Sequence, residues 1–159
     1  MRRSFFASAL TAGLIAGALD ITAACIHAYT RNGTTPIQVL KGVASGAFDP
    51  KTFSNGTFLA VCGLVIHFII AISFTFFFFM LAKQFPSLVK YPVPIAILYG
   101  IFVWSAMRFI ILPYLSRITP KPIVGNEAII NAIIGAVILM ICIGLPNALL
   151  AKRYLKANP

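Results

Sequence analysis

Charge is scarce in this chain and acidic charge scarcer still: of 159 residues 10% are charged, and only Asp20, Asp49 and Glu127 are acidic. Soluble domains carry about a quarter of their residues as charges, so an ordinary water-facing surface cannot be built from this composition. Cysteine is sparse as well. Cys25, Cys62 and Cys142 form no CxxC pair and no zinc-ligand spacing, which excludes a disulfide framework or structural zinc and leaves small buried apolar side chains. There are two histidines, His27 and His67. Counted from the ends of their helices, His27 lies ~2 residues down and His67 ~11, a difference of ~13 Å by the helical rise, so they are not expected to ligate one haem iron. Cys25 and Cys62 fall at similar shallow depths, but no CxxC or quinone signature makes them a redox pair. No cofactor is expected, and there is no internal repeat or low-complexity linker.

Apolar length is what the chain does have. It is 60% hydrophobic with a mean hydropathy of +0.94, which reads as one integral membrane domain over residues 1–159. An all-α bundle of four transmembrane helices is expected, over residues 5–29, 56–82, 92–115 and 124–151. The first segment opens on Met1-Arg2-Arg3 like a signal peptide. Its apolar run of ~25 residues is too long for a secretory core, and Asp20 interrupts it, so it is read as a retained helix. The net charge of +10 would suit nucleic acid, but every Lys and Arg except Arg108 lies between or beside the apolar runs. That is the pattern of membrane topology and anionic headgroups. Arg2, Arg3, Lys83, Lys90, Lys152, Arg153 and Lys156 fall on the side of the termini, against Arg31, Lys41, Lys51, Arg117 and Lys121 on the other. The bias puts both termini in the cytoplasm.

Between the first two spans, residues 36–47 carry Ile37, Leu40, Val43 or Ala44, and Ala47 on one stripe, with Thr35 placed to cap and Pro36 suited to the first turn. The piece is too short to span and reads as an amphipathic helix in the interface, ended by Gly46 and the Asp49-Pro50 turn, and suited to cover the bundle mouth. The run Phe76 to Phe79 covers every side of its helix and reads as lipid-facing bulk.

Inside the spans a few polar residues stand out. In the second, Gly56, Ala60, Gly63, His67, Ala71 and Phe74 share a face of mostly small residues. In the first, Gly13, Gly17, Asp20, Ala24 and His27 share another, with Gly13 and Gly17 at GxxxG spacing that also suits a second helix or a second copy of the chain. Arg108 is the only charge of the third span, stacked with Gly100 and Trp104. Glu127, Asn131 and Gly135 line one face of the fourth. By depth, Asp20, His67, Arg108 and Asn131 fall in one slab ~10 to 17 Å below the surface opposite the termini. An ionisable group in hydrocarbon needs a partner, so an Asp20–Arg108 pair completed by His67 and Asn131, with Glu127 nearby, is the candidate site. The bland alternative is polar packing glue between helices, worth ~0.6 to 2 kcal/mol per group.

Val65-Ile66-His67-Phe68, Lys83-Gln84-Phe85-Pro86, Leu112-Pro113-Tyr114 and Thr119-Pro120-Lys121-Pro122 together resemble a loose group of small, uncharacterised bacterial inner-membrane proteins, the YagU-like type. The likeness covers residues 64–122. It implies a bacterial inner membrane and supplies no catalytic residues. The expectation is a small inner-membrane protein whose polar cluster binds a small ligand, an ion or a partner helix, as a transport-related or accessory subunit. Its partners would be membrane lipids and a second copy or another membrane protein. The alternatives are an intramembrane enzyme, with His67 as base oriented by Asp20 and Ser73 or Ser105 as hydroxyl, and a structural or assembly protein. No nucleophile or metal set stands at a recognisable spacing, which points away from the enzyme.

Overall fold

The computed structural model describes residues 4–49, 56–120 and 122–158, and every element among them is helical. Four helices are long and apolar enough to cross a membrane: α1 (Phe5–Asn32), α3 (Gly56–Gln84), α4 (Pro92–Leu115) and α5 (Asn126–Ala157). The short α2 (Pro36–Ala44) lies between the first two. The chain is an all-α, multi-pass membrane protein. Leu10, Leu14, Ile69, Met80, Leu98 and Ile133 point outward from the bundle, as side chains facing acyl chains must. Of the basic residues in the topology count, Arg2, Arg3, Lys51 and Lys121 lie outside the described residues, as does Pro50 of the Asp49-Pro50 turn.

The helix ends follow capping chemistry, and they move several expected boundaries. α1 runs past Tyr29 to Asn32 because Gly33, at φ 66, takes the left-handed conformation that closes it. The Gly33 amide donates to the Tyr29 carbonyl, the five-to-one bond of an αL closure, and the Thr34 amide donates to Ala28. α2 begins as expected, with Thr35 and Gln38 exchanging side-chain-to-backbone bonds and Pro36 in the first turn. It ends at Ala44, and residues 45–47 form turns. α5 starts at Asn126, since Gly125 at φ 87 lies outside helical space, and it continues through the basic tail to Ala157.

α1 and α3 run antiparallel and close. A side chain at Gly13 would meet the backbone of Ile72, and one at Gly17 would meet Phe68 and Ala71. The GxxxG face is therefore filled within the chain by α3 and is not available to a second copy. α4 and α5 meet through a second pair of small residues. Gly100 lies against the backbone of Met140, and Gly144 lies against the carbonyl of Ala96. The four-residue steps on both helices, read in opposite directions, give the small-residue packing that lets helix backbones touch in lipid. Both helices depart from α geometry beside this contact, in π-type turns at Met107–Leu115, around the internal Pro113, and at Met140–Gly144.

α3 and α4 are spaced by rings. Phe74, Phe77 and Phe78 of α3 pack on Tyr99 and Phe102 of α4, and the Tyr99 hydroxyl donates to the Phe74 carbonyl at 2.5 Å. Towards the end of the bundle that holds the termini, the space is filled solid. Phe78 and Phe79 are among the largest fully buried side chains, packed with Ala9, Ala12, Ala148 and Tyr154. This corrects the reading of Phe76 to Phe79 as lipid-facing: only Phe77 of the four is strongly exposed, because α1 and α5 close over the other side. Towards the opposite end the helices are not filled in the same way, and the candidate site lies there.

Candidate functional site within the bundle

α2 lies directly on α3. A hydrogen of Gly63 takes the place where a Cβ would overlap the carbonyl oxygen of Leu40, so this glycine lets the two backbones touch through a weak C–H···O contact. The end of α2 is held from the other side by the Arg117 amide, which donates to the Gly46 carbonyl at 2.8 Å. Gly63 lies seven residues into α3, so the contact is about 10 Å along the helix axis from its start, near the edge of the hydrocarbon. α2 is thus a cover on the bundle, and Val43 reaches from it into a cavity.

That cavity has a volume of about 340 Å³ and lies between α1, α3, α4 and α5. Its wall is aliphatic and aromatic, including Phe74, Trp104, Met107 and Leu139, with Asp20, His27 and His67 as its ionisable groups. Asp20 and His67 form the polar centre. The His67 Nε2 is 2.9 Å from the Gly17 carbonyl oxygen, and since a carbonyl only accepts, Nε2 carries the proton and donates. The same nitrogen is 4.0 Å from Asp20 Oδ2, and both side chains are largely buried. Gly17 therefore has two roles: it lets α3 approach, and its carbonyl orients the imidazole one turn from the carboxylate.

The site is narrower than the expected five-residue cluster. Asp20 and His67 are brought together. Arg108 and Asn131 instead line a second pocket of about 310 Å³ with Trp104, Pro122 and Ile123, and the ionic neighbour of Asp20 is His67, not Arg108. Depth along a helix does not fix azimuth, and the π-type turns of α4 begin just before Arg108. Glu127 pairs with Arg31 at an exposed site, with 81% of its side chain in solvent, because α1 extends far enough to bring Arg31 to the first turn of α5. His27 lines the same cavity but lies ten residues along α1 from Gly17, about 15 Å by the helical rise, and Gly17 is where His67 is held, so the depth difference expected between the two histidines stands.

Sequence reasoning missed Val43, Trp104, Met107 and Gly135 as parts of the wall. Trp104 was visible as the neighbour of Arg108, but a lone aromatic in an apolar span carries no pattern of its own. Among the described residues no serine, threonine or lysine lines the cavity. Ser73 is exposed and donates to the Ile69 carbonyl of its own helix at 2.7 Å, and Ser105 is not on the wall. The cysteines are free thiols, and among the described residues no three His, Cys, Asp or Glu side chains are grouped to hold a metal. No family model, curated protein or solved structure matches the chain.

Proposed function

We propose that this chain is a small bacterial inner-membrane protein, with both termini cytoplasmic, that binds a small and mostly apolar molecule in the Asp20–His67 cavity as a transport-related or accessory subunit. The observation that carries the reading is the cavity itself. About 340 Å³ of apolar-walled space, with the Asp20 and His67 side chains together at one place, matches the form of small-molecule sites, where the wall supplies affinity and a few polar atoms supply orientation. Among the described residues the wall carries no hydroxyl or amine nucleophile, which supports binding over chemistry. The likeness of residues 64–122 to the YagU-like group supports the inner-membrane placement, and the excess of basic residues on the side of the termini supports their orientation.

Gly135 offers the test. It lies on the cavity wall, and a Cβ there would meet only the Trp104 indole at 3.5 and 3.8 Å, ordinary contact distances. Gly135→Leu therefore fills the cavity without colliding with backbone. In lipid nanodiscs, saturable binding of neopentylbenzene, an uncharged aromatic probe, is expected for the parent chain and not for the leucine variant. Equal binding by both, or none by the parent, would remove the cavity as a binding site.

A further inference from the structure

The cavity has an asymmetry of charge. Among the described residues its wall holds one carboxylate, two imidazoles, an indole and a phenyl ring, and no lysine or arginine. The ionisable groups on the wall with Asp20, among the described residues, are His27, farther along its own helix, and His67 from α3, while α5 carries the neutral thiol of Cys142. From α4, Arg108 stands one turn beyond Trp104, in the neighbouring pocket. α2 contributes Val43, which brings no charge.

An isolated charge in such surroundings is costly, so the buried Asp20–His67 pair is most stable when net neutral. One exchangeable proton achieves that, whether it sits on the carboxyl or makes the imidazole an imidazolium. A cation with an apolar body achieves it as well. Its charge would replace the proton beside Asp20, and the aliphatic and aromatic wall would take the rest.

Building on the cavity-binding reading, the geometry points to a lipophilic cation, such as an aromatic quaternary ammonium or a protonated amine, as the ligand class, bound at Asp20 in exchange for one proton of the Asp20–His67 pair. The balance is simple. The neutral pair plus the cation gives the carboxylate–cation complex, a neutral imidazole that still donates from Nε2 to Gly17, and one proton released. No covalent bond changes. Because proton and cation compete, affinity rises with pH while the pair holds its proton, by up to tenfold per pH unit for one proton exchanged.

The test compares benzyltrimethylammonium with neopentylbenzene, its uncharged carbon isostere, on the full chain in nanodiscs between about pH 5.5 and about pH 8, the span over which histidine charge changes. Expected are tighter binding of the cation at high pH, calorimetric release of up to one proton, and pH-independent binding of the isostere. Asp20→Asn should weaken the cation at least tenfold and the isostere far less, and the isostere binding that remains shows that the variant is folded. His67→Gln keeps a donor for the Gly17 carbonyl, so the cation should still bind, with its proton release and pH slope reduced. Equal affinity for the two probes, or a cation affinity indifferent to Asp20→Asn, would overturn the cation assignment while leaving the apolar site in place. Failure of both probes would overturn the site and the assignment together.

Discussion

Replacing Gly63 by alanine places a methyl group on the carbonyl of Leu40, with the Leu40 carbonyl carbon at 2.8 Å and the Ala44 amide nitrogen at 3.2 Å. All three atoms are backbone, so no rotamer change relieves the overlap. α2 must withdraw by on the order of an ångström to restore van der Waals spacing. Overpacking of this kind costs about 1 to 3 kcal/mol, against a gain of at most about 1 kcal/mol from exchanging glycine for alanine in a helix. Gly42 is the control, since a Cβ there meets nothing within 4 Å, and Gly42→Ala should gain that propensity and lose nothing. In reversible unfolding from mixed micelles, Gly63→Ala should be less stable than the parent and Gly42→Ala slightly more. Moving α2 also moves Val43, so probe binding in the cavity should weaken in the first variant only. If Gly63→Ala matches the parent in both stability and binding, α2 does not lie on α3 as described, and the cover over the cavity is wrong.

The contact between α4 and α5 should answer in the same way. Gly144→Ala, aimed at the Ala96 carbonyl, should lose about 1 to 3 kcal/mol in the same unfolding assay. Tyr99→Phe removes the hydroxyl bonded to the Phe74 carbonyl and keeps the ring, so a loss of about 0.5 to 1.5 kcal/mol is expected. Asn147 is fully buried, and its amide has no hydrogen-bond partner among the described residues. Asn147→Leu should therefore be neutral or stabilising by about 1 to 3 kcal/mol, and a clear loss would show that the amide has a partner in the membrane. Arg31→Ala should cost less than about 1 kcal/mol, since the Glu127 end of the pair is exposed.

Residue type and order alone determine that this chain crosses a membrane four times. Runs of apolar residues longer than a bilayer is thick admit only helices, because lipid offers no partner for free amides. The cap at Thr35 and Pro36, the packing faces built on Gly13, Gly17 and Gly63, and the placement of Asp20 and His67 on those faces were legible for the same local reasons: capping chemistry and the 3.6-residue period act within a few residues. What those rules cannot provide is azimuth and partner. Whether Asp20 meets Arg108 or His67 depends on how α1, α3 and α4 are turned about their axes, and the π-type turns at Met107 and Met140 reset that rotation by an amount that Pro113 and Pro146 do not specify on their own. Likewise Phe78 and Phe79 are core rather than lipid-facing because α1 and α5 close over them, and Glu127 belongs to Arg31 because α1 runs to Asn32. The cavity was decided by tertiary structure alone, since rings between α3 and α4, small residues elsewhere and one short helix laid over the top leave a space that no stretch of the chain encodes by itself.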